Sequence, residues 1–144
     1  MRTVVLGPRP AELDRLIARR RQLGQDLFDE VWDGEYHMAP APHSGHGIVL
    51  GEFIAHVRTP ARAAGLREIA PFNLGSRDDY RVPDYGYVRS TPTETFVPTA
   101  AIVAEVVSPD DETYEKFAFY AAHSVDESAG AEPMERCVRW FVRD

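Results

Sequence analysis

The sequence predicts an α/β fold in which a mixed central β-sheet is flanked by helices. Stretches with apolar residues at helical spacing alternate with short runs rich in β-branched and aromatic residues. Their order is helix, hairpin, helix, three strands, helix, strand, and a sheet covered by helices is the economical packing of that order. No internal repeat, low-complexity stretch or linker interrupts it, so residues 1–144 read as one domain.

Pro10 to Arg21 forms the first predicted helix, with Pro10 suited to its first turn and Leu13, Leu16 and Ile17 as its apolar stripe. Gly24 stops it. Leu27 to Met38 follows as a hairpin, because Asp33-Gly34 between two aromatic-rich runs favours a two-residue turn. Pro40 and Pro42 break the second strand. His43 to Arg58 is the second helix, with Ser44 as the expected N-cap, Ile48, Val49, Phe53, Ile54 and Val57 as its buried side, and Pro60 as its expected end.

Leu66 to Leu74 and Tyr80 to Val88 read as strands joined by a turn at Gly75 to Asp79, and Pro83 marks an edge or bulge in the second. Thr91 to Pro98 reads as a polar loop. Ala100 to Val107 is the most apolar run and the expected central strand. Ser108 and Asp111 suggest a capping box that opens a helix running to about His123, with Phe117, Tyr120 and Ala121 on its core face. Glu127 to Pro133 is poor in β-formers, which makes a weak sheet edge or a divergent C-terminal part the expectation there. Arg139 to Val142 is the last strand.

Bulk chemistry narrows the function. The net charge of −7 counts against broad nonspecific binding of nucleic acid, although arginines gather at Arg19, Arg20 and Arg21 and at Arg58, Arg62 and Arg67. Cys137 is the single cysteine, which excludes an internal disulfide and a cysteine-based zinc site within one chain. No apolar run is long enough to span a bilayer and no signal peptide is recognisable, so the expected setting is cytoplasmic, with no membrane partner. His37, His43, His46 and His56 lie close in sequence but lack a zinc signature.

Three residues carry the chemical argument. Glu105 interrupts the most apolar strand, and an unpaired buried carboxylate is costly. The plain alternative is a strand-end glutamate paired to an arginine. Asp84 follows Pro83 and alone would be a turn residue. Lys116 is the one lysine beside fifteen arginines, and by itself it would be a solvated partner of Glu112. Together, two carboxylates on successive strands and a lysine on the next helix can hold a divalent cation and a water beside a phosphodiester.

At these residues the chain resembles the PD-(D/E)XK nuclease superfamily, and within it the Uma-two type of restriction endonucleases. The likeness rests on Trp32-Asp33-Gly34-Glu35 with Met38 and Pro40, on His46, on Val82-Pro83-Asp84, on Glu105 to Pro109, and on Lys116 to Tyr120. It implies a restriction-endonuclease-like core and a magnesium-dependent endonuclease, with manganese as a substitute ion. It implies nucleic acid, most naturally DNA, as substrate, and a homodimer as assembly. By the same resemblance Asp84, Glu105 and the carbonyl of Val106 hold the metal, and Lys116 orients the attacking water. Glu35 and His46 are further polar positions facing the site. The superfamily lysine usually stands two residues after the glutamate, where this chain has Val107, so Lys116 is a displaced equivalent. A catalytically silent nuclease fold, kept for DNA binding or dimerisation, is the competing reading.

Overall fold

A computed structural model of the protein describes residues 9–109 and 112–144. Helix α1 (Ala11–Gln22) packs Ile17 inward and ends at Leu23 and Gly24. Strands β1 (Glu30–Trp32) and β2 (Glu35–His37) form the expected hairpin. Its turn places both Asp33 (φ 49°) and Gly34 (φ 86°) at positive φ, the conformation a tight hairpin of right-handed twist demands.

Helix α2 (Ser44–Ala63) departs from the sequence reading at both ends. His43, not Ser44, is the N-cap: its Nδ1 accepts the Gly45 N–H at 3.1 Å. Pro60 lies inside the helix and does not end it. Phe53, Val57 and Ala61 recur every four residues as one inward stripe, and their burial against Tyr85, Tyr87, Ile102, Ala104 and Ala129 carries the helix past the missing N–H.

Each of the two long strands read from the sequence is divided. The first becomes β3 (Arg67–Ile69) and β4 (Asn73–Ser76), and the second becomes β5 (Asp79–Arg81) and β6 (Tyr85–Val88). The breaks contain Pro71 and Pro83, which supply no ladder donor. β4 pairs with β5, and β3 pairs with β6, so one bent ribbon enters two sheets. The first sheet has the order β2-β1-β5-β4-β7, where β7 (Phe96–Val97) arises within the stretch read as a polar loop. The second has the order β10-β9-β8-β6-β3, with β8 (Ile102–Val106), β9 (Glu127–Glu132) and β10 (Cys137–Val142). Both sheets are mixed, through the parallel pairs β4·β7 and β8·β9. β8 is the middle strand of its sheet, as its apolar sequence predicts.

Residues Glu127 to Glu132 overturn the expectation of a weak edge. They form an interior strand, and Ser128, Ala129, Gly130 and Ala131 are all buried. The composition is explained by space. A Cβ on Gly130 would meet the Tyr114 hydroxyl at 2.9 Å, and Ala129 packs in the cluster around Phe53. Here packing against helices on both faces selects small side chains, and it outweighs β-propensity.

Helix α3 (Thr113–Ala122) begins later than Ser108, with Glu112 as its N-cap. Asp111, the expected closing residue of the capping box, lies outside the described residues. Buried Arg81 joins the layers: it donates to the Val31 carbonyl at 2.8 Å and lies between the rings of Trp32 (4.3 Å) and Phe119 (4.0 Å). Among the described residues no helix is long and apolar enough to cross a membrane.

Candidate active site

Alternation along β8 explains where Glu105 points. Ile102 and Ala104 join the cluster under α2, whereas Val103 packs with Tyr120 on the α3 side. Glu105, two residues beyond Val103, therefore faces α3. There Lys116 and Tyr120 stand four residues apart on one helical face. The Tyr120 hydroxyl donates to Glu105 Oε1, and Lys116 Nζ lies 3.4 Å from the same oxygen. An arginine partner for Glu105 is thus replaced by a lysine and a tyrosine.

Lys116 points inward, with its side chain 16 % exposed, and reaches two acids. Its nearer partner is Glu30 Oε1 at 2.9 Å. Glu30 is held in turn by the Val82 N–H on Oε1 at 2.7 Å and by Trp32 Nε1 on Oε2 at 2.6 Å. Three donors from three segments fix this carboxylate, so it serves as a clamp on the ammonium.

Asp84 sits at the break between β5 and β6. The antiparallel register ends at Tyr85 opposite Ala104, and the Asp84 side chain continues it by accepting the Val106 N–H on Oδ2 at 2.8 Å. The same oxygen lies 2.9 Å from His46 Nε2, on the first turn of α2. Asp84, Glu105, Val106, His46, Lys116 and Glu30 all line one cavity of about 720 Å³, walled by α1, the hairpin, the 39–43 segment and α3.

Electrostatics in this cavity follow from crowding. Burial pushes the Glu105 carboxyl up to about 8 against the pull of Lys116, and the charges of Asp84 and Glu30 raise it further. Burial would lower Lys116, but Glu105 and Glu30 outweigh it and hold its pKa above the usual lysine value. The two shifts differ in origin: burial leads for Glu105, whereas at Lys116 the neighbouring carboxylates together outweigh burial. The Tyr120 phenol is likewise held well above its ordinary value by burial and by Glu105.

The structure brings together Asp84, Glu105, Val106, Lys116 and His46. Glu35 is placed differently. It pairs with Trp32 at the turn end of the hairpin and does not line the cavity. The acid the hairpin contributes is Glu30, which the sequence reading passed over. Periodicity gave no signal for it: alternation puts Glu30 on the strand face opposite Val31, where a charged residue is ordinary.

The donor set suits a hard divalent ion. Carboxylate oxygens and a backbone carbonyl are magnesium ligands, and an excess of acids over cations in the pocket favours a divalent charge. Among the described residues no group of three or more His, Cys, Asp or Glu side chains is arranged to hold a metal ion. Magnesium asks for less, taking one or two carboxylates and keeping several waters.

The profile of the Uma2 family, described as "Putative restriction endonuclease", matches residues 11–144. Among solved structures, the crystal structure of a putative nuclease belonging to DUF820 from Anabaena variabilis superposes with a TM-score of 0.67 at 16 % identity. The match covers 81 % of this chain and 72 % of that one, and it shows the fold. None of the curated proteins matches this chain.

Proposed function

The chain belongs to the Uma2 family of putative restriction endonucleases, and on that premise we propose that it is a magnesium-dependent nuclease hydrolysing phosphodiester bonds in DNA. The observation that carries the reading is the inward lysine. The one lysine of the chain leaves α3 to meet two carboxylates from two different sheets, inside the cavity that also holds Asp84. A solvated helix face would require none of this burial.

Asp84, Glu105 and the Val106 carbonyl are the proposed ligands of magnesium, with manganese as substitute. When bound, the ion supplies Lewis-acid polarisation of the phosphate and a more acidic water. Lys116 orients the attacking water and offsets charge developing on the phosphate oxygens. Glu30 keeps the ammonium aimed, Tyr120 fixes one oxygen of Glu105, and His46 fixes Asp84. Duplex DNA is the proposed polymer, and a twofold dimer would offer one site to each strand.

The net charge of −7 favours one competing reading, a silent nuclease fold. Cleavage of duplex DNA with magnesium or manganese separates the two. The nuclease reading expects Asp84→Ala, Glu105→Gln and Lys116→Ala to lose about 100-fold or more in rate while remaining folded. It also expects calorimetric magnesium binding that Asp84→Ala abolishes. Equal rates for the variants and the wild type would remove the proposed mechanism.

A further inference from the structure

A phosphodiester does not break cleanly unless its leaving oxygen receives a proton. Lys116 is a poor donor, since the surrounding carboxylates hold its proton tightly. His46 Nε2 is engaged with Asp84, and the His43 ring caps α2. His37 is differently placed. It lines the same cavity, with its side chain 14 % exposed.

Two separate pairings bring His37 beside Lys116. Across the hairpin, His37 is the register partner of Glu30, and such partners stand on one face with Cβ atoms about 5 Å apart. Glu30 is the acid that grips Lys116. From the other side, Glu112 precedes Lys116 by one helical turn, and its Oε2 lies 3.4 Å from His37 Nδ1. The ring stacks on Trp32 at 4.7 Å with planes 15° apart, so its orientation is fixed. With Nδ1 turned to Glu112, Nε2 lies on the opposite edge of the ring, and among the described residues no hydrogen bond engages it. Among the described residues, the charged groups on this side of the imidazole are Glu112, before α3, Glu30, on β1, and the Lys116 ammonium that Glu30 holds.

We propose that His37, oriented by Glu112, is the general acid that protonates the leaving oxygen; this rests on the nuclease reading of the same cavity. A carboxylate that holds Nδ1 fixes the ring and leaves Nε2 to exchange the proton. The step balances. Water adds to phosphorus and releases one proton to solvent. The bond from phosphorus to the leaving sugar oxygen breaks, and its electron pair stays on that oxygen. The oxygen takes the proton from His37 Nε2, and the neutral ring regains one from solvent. One water is consumed, and a phosphate monoester and an alcohol are formed.

The test compares duplex oligonucleotides of one sequence, with an ordinary linkage or with sulfur in place of the 3′- or 5′-bridging oxygen. A thiolate leaves without a proton. Manganese serves as the ion throughout. His37→Gln should cut the ordinary linkage about 100-fold more slowly than wild type and match it within about threefold on a sulfur-bridged one. Glu112→Gln should show a smaller loss, confined to the ordinary linkage. Equal losses on all linkages, or no loss on any, would overturn the assignment of His37 while leaving the nuclease reading intact. A wild type that cuts none of the substrates would overturn both.

Discussion

Replacing Glu105 with glutamine reads the electrostatic load of the cavity directly. Glu105 is 3 % exposed, and burial, with Asp84 and Glu30 nearby, raises its carboxyl from an ordinary 4.5 to about 8. One pH unit of such a rise corresponds to about 1.4 kcal/mol, so keeping the charged form costs the folded chain roughly 5 kcal/mol above pH 8. Between pH 4.5 and 8 the folded state holds a proton that the unfolded chain has already released. Wild-type stability therefore falls as pH rises through that window. Lys116 adds no slope there, because its raised pKa places its titration at far higher pH. Glutamine keeps the shape and carries no charge, and Glu30 still pairs with the ammonium at 2.9 Å. Urea unfolding, followed by the fluorescence of Trp32 and Trp140, is the assay. Glu105→Gln and wild type should agree near pH 4.5, and the variant should be the more stable by several kcal/mol at pH 8. Parallel stability curves from pH 5 to 8 would refute the argument, since they would mean that Glu105 carries its charge without cost.

Two further substitutions test the frame that positions the site. Asp29 is fully buried and accepts two bonds from Arg20, both at 2.7 Å, one from Tyr36 at 2.8 Å and one from the Ala39 N–H at 2.9 Å. Asp29→Ala should cost about 3–5 kcal/mol by calorimetry, and a loss below about 1 kcal/mol would show that α1 is not anchored through this acid. A Cβ on Gly86 would meet Phe72 at 2.8 Å and the Ile102 carbonyl at 2.9 Å. Gly86→Ala should therefore lower stability by about 1–3 kcal/mol, and an unchanged melting temperature would contradict this packing of β6 against β8.

Local rules made much of the fold legible. The Asp33-Gly34 turn, the apolar run of β8 and the helix carrying Lys116 and Tyr120 follow from turn chemistry and periodicity. What was not legible depended on neighbours distant in sequence. β9 looks unlike a strand because its size limits are set by Tyr114 and by the cluster around Phe53. Pro60 looks like a helix end until the stripe through Ala61 is seen to be buried. The division of two strands between two sheets is marked in the sequence only by Pro71 and Pro83, and neither proline states which partner each half will choose.

In the site the same distinction holds. Glu105 was legible because a charge in an apolar strand demands a reason, whereas Glu30 was hidden in a short hairpin strand whose polarity looked ordinary. Its role appears only when Val82, Trp32 and Lys116 are seen to converge on one carboxylate. That convergence also explains how a lysine can stand on a helix. An ammonium is a compact point charge on a flexible stem, so what matters is where its tip is held, and not which element carries it. Val107 occupies the strand position two residues beyond Glu105, and its N–H is committed to the Ala131 carbonyl at 2.8 Å. On α3, by contrast, one helical turn carries both the ammonium and the phenol that meet Glu105 Oε1. Placing them on one face couples the charge that would act on phosphate to the group that fixes the glutamate. Here a second acid, Glu30, holds the tip of the helix-borne lysine at 2.9 Å.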